Sequence, residues 1–228
     1  MIHPLRPLAA LLLALGLCTA PAAAETVPLP HTVLEVPLPE DYCALDAGDP
    51  LEAELMRVVE TLQQGQNRVL LQLVQCQELA EWRSGALPEF LRFGHVMLPM
   101  ANGTVQPVPL DRASFLGEMV KHLPAADDAL IEEIRRAANE NEQGFTVEDL
   151  QYLGLLDQDA NGLYVGLIGR PAVDGEAGGL QAGLMGMTLV RQTVVAVYFY
   201  RPFEDQADFD RLMVLQKSYM ERLIAANP

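Results

Sequence analysis

The sequence predicts an α+β fold: an antiparallel sheet with helices packed on its faces, an α/β/α sandwich that ends in a long C-terminal helix. Three observations predict it. Four strand patterns follow one another between residues 150 and 200, and neighbouring strands with short links pair antiparallel. Apolar residues recur at helical spacing before and after those strands. Helices and strands are therefore partly segregated along the chain, which is the pattern of α+β architecture and not of an alternating parallel sheet.

The chain opens with "MIHPLRP", in which Arg6 is the fixed positive charge, followed by the apolar run Leu8–Leu17 and the small-residue stretch ending Ala22-Ala23-Ala24. This is the order of a secretory signal peptide over residues 1–24, with cleavage expected after Ala24. Ten apolar residues are too few to span a bilayer, which takes about 20. Cys18 is not expected to be a lipid anchor, because Leu17 occupies the position before it that a lipoprotein signal fills with a small residue. The expected mature chain, 25–228, has 204 residues, enough for a single α+β domain with a real core. Residues 25–32 are expected to be a flexible lead-in. Without Arg6 the chain carries 14 basic and 31 acidic side chains, a net −17. Such a surface repels phosphate backbones and anionic lipid heads, so nucleic acid is not expected as a partner. No later segment is apolar for long enough to suggest stable membrane insertion once the signal is cleaved.

The elements follow in order. "HTVLEVPLP" holds a short strand, Val33 to Val36, stopped by Pro37 and Pro39. Asp49-Pro50 is a helix start, a capping residue followed by proline in the first turn. Leu51, Leu55, Val58, Val59 and Leu62 then repeat as an inner stripe until Gly65. "VLLQLVQC" (69–76) reads as a buried strand, "QELAEWRSG" as a helical turn closed by Gly85, and "FGHVMLPM" as a strand. Asp111 can cap a helix whose inner face is Phe115, Leu116 and Met119. Asp127 or Asp128 opens another, with Leu130, Ile131, Ile134 and Ala138 inward. "LQYLGLL" and "LYVGLIG" form one strand pair, "LMGMTLV" and "TVVAVYFY" a second. "DGEAGG" (174–179) reads as a flexible loop, and the glycines of "GGLQAGLMG" as a loop leading into a strand, with room for a bulge. After Asp205 a final amphipathic helix carries Phe209, Leu212, Met213, Tyr219, Met220, Leu223 and Ile224 on one stripe.

Cleavage after Ala24 leaves Cys43 and Cys76, an even pair in an oxidising compartment, so a disulfide is expected between them. They are not in a C-x-x-C spacing, which argues for a structural and not a redox pair.

"DQDANG" (157–162) is the one stretch that resembles the start of a calcium-binding loop. Counted from Asp157, however, the bidentate twelfth position is Ile168 and the ninth is Val165. That leaves Asp157, Asp159 and Asn161 as an incomplete cation set, and no metal or other cofactor is expected. Asn161-Gly162 is instead a strong hairpin signal between two apolar runs. The three serines, Ser84, Ser114 and Ser218, lie in no nucleophile elbow. Ser114, Glu118 and His122 share a helix face, but residues on successive turns do not converge on one reacting atom. His95 has no partner at metal-ligand spacing. Tyr198, Tyr200, Arg201 and Phe203 either present a partner-binding patch or alternate between core and solvent.

At "VPLPEDYCALD", "CQELAEWRSG" and "LIAANP" the chain resembles exported proteins of Gram-negative bacteria, and its element order is similar to the PsbP-like fold. There a proline-bounded strand, a helix, a late antiparallel meander and a long final helix succeed one another. The resemblance spans most of residues 31–227, and the helical segment at 111–140 goes beyond it. It implies a non-catalytic accessory or binding module and supplies no active-site residues to carry over. The expectation is therefore a periplasmic, non-enzymatic protein with a protein or small-molecule partner. The alternative is a periplasmic hydrolase whose site is assembled from distant residues such as Glu118, His122 and His95.

Overall fold

The computed structural model describes residues 24–63, 65–123, 132, 136, 145–173 and 176–228. The helix expected near 127–138 falls almost wholly outside them.

The chain begins with a hairpin of β1 (Ala24–Pro28) and β2 (Val33–Pro37). Residues 25–32 thus carry a paired strand and a turn where a flexible lead-in is expected, and Val27 is buried. There follow β3 (Tyr42–Ala44), α1 (Pro50–Leu62), β4 (Asn67–Gln75), α2 (Cys76–Arg83), β5 (Phe93–Pro99) and α3 (Arg112–His122). The second half holds β6 (Phe145–Gln158), β7 (Leu163–Val173), β8 (Glu176–Ala177), β9 (Gln181–Val190), β10 (Thr193–Pro202) and α4 (Gln206–Ala225). The main sheet has eight strands in the order β3-β4-β5-β10-β9-β7-β6, with two-residue β8 added beside β7. Every pairing is antiparallel.

Side chains that alternate along a strand face opposite sides of a sheet, and here both sides are covered. Val195, Val197 and Phe199 of β10 face α4 and the β1–β2 hairpin, where Phe209, Leu212, Tyr219, Met220 and Leu223 form the larger core. Val194 of β10 and Leu189 of β9 face the other way, onto Phe115 and Leu116 of α3. Three helices start on an aspartate that accepts from their first free amides: Asp49 from Leu51 and Glu52, Asp111 from Ser114, Asp205 from Ala207.

Three local expectations are corrected. Leu51, expected on the inner stripe of α1, is 68% exposed, while Glu52 is fully buried. The reason is electrostatic: one oxygen of Glu52 takes Arg83 at 2.7 Å and the other takes the Asp46 amide at 2.8 Å. Gly183 and Gly186 lie inside β9, whose register with β10 is unbroken, so they mark neither a loop nor a bulge. A methyl at Gly186 would overlap Gln216 and Met220 of α4, so glycine lets the helix approach the sheet. Residues 176–177 of the expected flexible loop form β8.

The β9–β10 connection is a tight hairpin. Its two central residues, Arg191 and Gln192, have φ of 47° and 61°, as a type I′ turn requires. The disulfide between Cys43 and Cys76 is formed, with Cα atoms 5.0 Å apart. Such a bond is consistent with an extracytoplasmic protein. Among the described residues no helix is long and apolar enough to cross a membrane.

Candidate functional site

Tyr42, Gln75 and Gln77, the chain neighbours of the disulfide cysteines, help line a pocket of ≈ 540 Å³, bounded by the start of β3, α2, the segment leading into β5, the end of β10 and the first half of α4. Its construction begins in the connector after β2. Asp41 adopts φ 62°, a conformation that aspartate tolerates, and this aims its carbonyl at the Cys76 amide (2.8 Å). The bond and the disulfide together press β3 against β4, with Tyr42 opposite Gln75. The Tyr42 ring then lies 5.3 Å from that of Phe199, on the α4 side of the sheet.

Three arginines reach the pocket, from the segment leading into β5, from β10 and from α4, and two buried carboxylates set their positions. Glu78 of α2 accepts from the Leu91 and Arg92 amides with one oxygen and from Arg92 Nη1 with the other, all at 2.8 Å. Gln75 accepts from the same Nη1 at 2.9 Å. Asp208, in the first turn of α4, accepts from the Glu204 amide at 2.9 Å and from Arg211 Nη1 at 2.8 Å. Arg201 Nε lies 3.0 Å from the same Asp208 oxygen as an ion pair without hydrogen-bond alignment. The Glu204 amide is the leading cause that holds the Asp208 carboxyl below its ordinary range, with Arg201 and Arg211 adding to it. Among the described residues, nothing accepts a hydrogen bond from the terminal nitrogens of Arg201 or from Nε and Nη2 of Arg92. Burial pushes the Tyr42 hydroxyl up to about 12, against the pull of Arg201 and with a push from Glu78, so it is a neutral O–H donor at physiological pH.

The chemistry on offer is recognition of an anionic group. Guanidinium forks match a carboxylate or phosphate, and fixing them in advance lowers the ordering cost of binding. Among the described residues the lining contains no serine, threonine, histidine or free thiol. Leu87, Leu91 and Leu215 add apolar wall, and Glu40, Asp41 and Glu81 bring negative charge to the same pocket.

The residues singled out in the sequence lie elsewhere, with one exception. Asp157 and Asp159 are joined to α4 by Lys217, whose Nζ is 2.6 Å from Asp157 Oδ2 and 3.4 Å from Asp159 Oδ2. Asp159 Oδ1 also accepts from the amides of Asn161 (2.8 Å) and Gly162 (3.0 Å) and from the Tyr164 hydroxyl. The loop is a four-residue turn held by the aspartate side chain, and neither Asn161 nor Gly162 takes the positive φ of the tight turn expected there. Ser114 donates to Asp111 at 2.7 Å and Glu118 is paired with Lys121 at 2.7 Å. Among the described residues no hydrogen bond links Ser114, Glu118 or His122 to His95. His95 belongs to a half-buried aromatic group with Phe93 and Tyr200 on the face opposite α4. Its Nδ1 is buried without a partner, and burial lowers its pKa to about 4. Tyr198 and Tyr200 share that face, whereas Arg201 reaches the pocket and Phe203 packs on Phe209, so the suspected patch divides by strand alternation.

Arg201 is therefore the one pocket residue that the sequence picked out. Arg92, Arg211, Glu78 and Asp208 went unnoticed because no short-range spacing connects them. The one available signal was an acidic residue at the third position of α4, where a capping box is common.

Fold and site together define an α+β domain with a preorganised, arginine-bearing pocket at one end of its sheet. No protein-family model matches the chain, and no curated protein matches it. The chain is similar to the solution structure of cyanobacterial PsbP (CyanoP) from Synechocystis sp. PCC 6803, at 12% identity and a TM-score of 0.35, over 93% of this chain and 96% of that one.

Proposed function

We propose that the protein is a non-enzymatic binding or accessory module of the periplasm and that it holds its ligand in the arginine-bearing pocket beside the disulfide. One observation carries this reading: three arginines, from the segment leading into β5, from β10 and from α4, are fixed by two buried carboxylates, with guanidinium donors left over. Charged groups held this way cost desolvation unless they are paired, and the pairing here orients them toward open space rather than consuming them. An export signal and a disulfide support the periplasm as the compartment. The test has two arms. Native mass spectrometry of the protein purified from periplasm should show a retained species that is reduced in an R201Q variant. A panel of ester, peptide and phosphoester substrates should show no turnover. Turnover abolished by a single side-chain change would overturn the reading.

A further inference from the structure

We propose that the pocket takes a monoanionic carboxylate attached to an apolar body, the chemistry shared by an N-acylated amino acid and the C-terminus of a peptide. This inference rests on the proposed binding role and adds the ligand class to it.

The arginines of the pocket are already largely neutralised, with two buried carboxylates against three guanidinium groups. Arg92 shares its charge with Glu78, and Arg201 and Arg211 share the single charge of Asp208. What remains among these five groups is a single net positive charge and a set of N–H donors. Glu40, Asp41 and Glu81 oppose that charge from the same pocket. A dianionic phosphate would bring a second negative charge with no cation left to pair it, next to three carboxylates. A single carboxylate needs only what the site has: a guanidinium fork from Arg201 or Arg92, and the neutral Tyr42 O–H for its second oxygen. The leucines decide the rest of the ligand. Leu87, Leu91 and Leu215 line the same space and would bury an aliphatic or aromatic body, in the usual manner of pockets that combine apolar wall with a few fixed polar groups. The fork is preformed because Glu78 and Asp208 are themselves anchored on backbone amides.

The experiment uses the mature, disulfide-bonded protein and titration calorimetry. The probes are N-acetyl-leucine, N-acetyl-leucinamide, the tripeptide Ala-Ala-Leu as acid and as C-terminal amide, and inorganic phosphate. The acids should bind and weaken with salt, the amides should not, and phosphate should bind more weakly than either acid. A tripeptide acid that binds about tenfold tighter than N-acetyl-leucine, about 1.4 kcal/mol, points to a peptide terminus as the source, and the reverse order points to a free acid. R201Q should lower acid affinity by about tenfold or more, the loss of a charge-assisted pair. Because Arg201 also serves Asp208, Y42F is the second variant: it keeps the ring on Phe199, should leave the melting temperature unchanged, and should weaken acid binding severalfold. The proposal is overturned if amides bind as well as acids, if phosphate binds tighter, or if R201Q and Y42F bind like the parent. If no acid binds while purified protein retains another species that R201Q loses, the carboxylate class fails and the binding module stands. Turnover of a substrate would remove the module itself.

Discussion

At one edge of the sheet β3 is three residues long, and a disulfide at its centre fastens it to the start of α2. At the other edge β6 runs for 14 residues with no strand outside it among those described. The short edge offers almost no free backbone to another chain, and its covalent tie holds nearby side chains in place. The long edge is guarded differently. Its pairing with β7 shifts at three points, Asp149 and Gly154 take positive φ of 48° and 74°, and Lys217 of α4 holds Asp157 near its end. Bulges of this kind twist an edge away from strand addition. Leu153, Leu155 and Leu156 stay partly exposed there, at 38–40%. The comparison teaches that covalent closure and bulging both protect an edge, but only closure also provides the rigidity that a ligand site needs. The candidate pocket lies at the closed edge.

Breaking the closed edge should have the largest effect. Replacing both Cys43 and Cys76 with alanine removes a cross-link over 33 positions and should cost about 3–4 kcal/mol in urea unfolding on the chain-entropy model. Amide exchange should accelerate first in β3, with β6 and β7 keeping their relative protection; equal loss at both edges would remove the distinction drawn here.

His95 sits in β5, between the edges, and isolates the middle of the sheet. Its folded pKa of about 4 lies below the ordinary value of 6.5, because the buried ring resists charge. This contribution is fully present above pH 6.5 and is lost as the pH falls toward 4, where the unfolded chain takes up a proton that the folded chain refuses. The loss should reach at most about 3 kcal/mol. An H95F variant should lack that component of the acid limb of the stability profile, and an unchanged limb would contradict it.

Next comes Glu78→Ala, which strands the Leu91 and Arg92 amides and frees the Arg92 guanidinium. A loss of about 2 kcal/mol is expected from the orphaned buried donors. Ligand binding should fall as well, because the arginine loses its anchor, and a variant that binds normally would argue that Arg92 needs none.

The open edge should respond weakly. Lys217→Met removes a partly exposed pair with Asp157 and Asp159 and should cost about 0.5–1 kcal/mol by thermal unfolding. Smallest of all is the effect of calcium, which should leave the melting temperature unchanged against a chelator. Asp159 Oδ1 is already taken by two amides and a tyrosine hydroxyl, and Asp157 by a lysine; a clear upward shift would show that the loop binds the ion after all.

Much of this fold is legible in the sequence where the determinant is local. Strand patterns from 150 to 200, aspartates before helices and an isolated cysteine pair each act over a few residues or have a single possible partner. Legibility fails where partners are distant. The stripe of α1 reads as Leu51 inward, yet Arg83 draws Glu52 in its place. Gly183 reads as a loop glycine and Gly186 as a place for a bulge, yet their reason is the helix and side chains above them. Asn161-Gly162 reads as a tight hairpin, yet Asp159 shapes that turn and a tight one stands at Arg191-Gln192.

The sequence by itself determined the α+β class, the capped helix starts at Asp49 and Asp111 and the cysteine pairing, because periodicity, capping and cysteine count are properties of neighbouring residues or of the whole composition. Only the tertiary structure decided the site. Arg92, Arg201 and Arg211 lie far apart along the chain, before β5, in β10 and in α4, and they meet because a disulfide fixes β3 while Glu78 and Asp208, buried at the starts of two helices, hold their guanidinium groups at one pocket. Convergence of charge in space has no period along the chain.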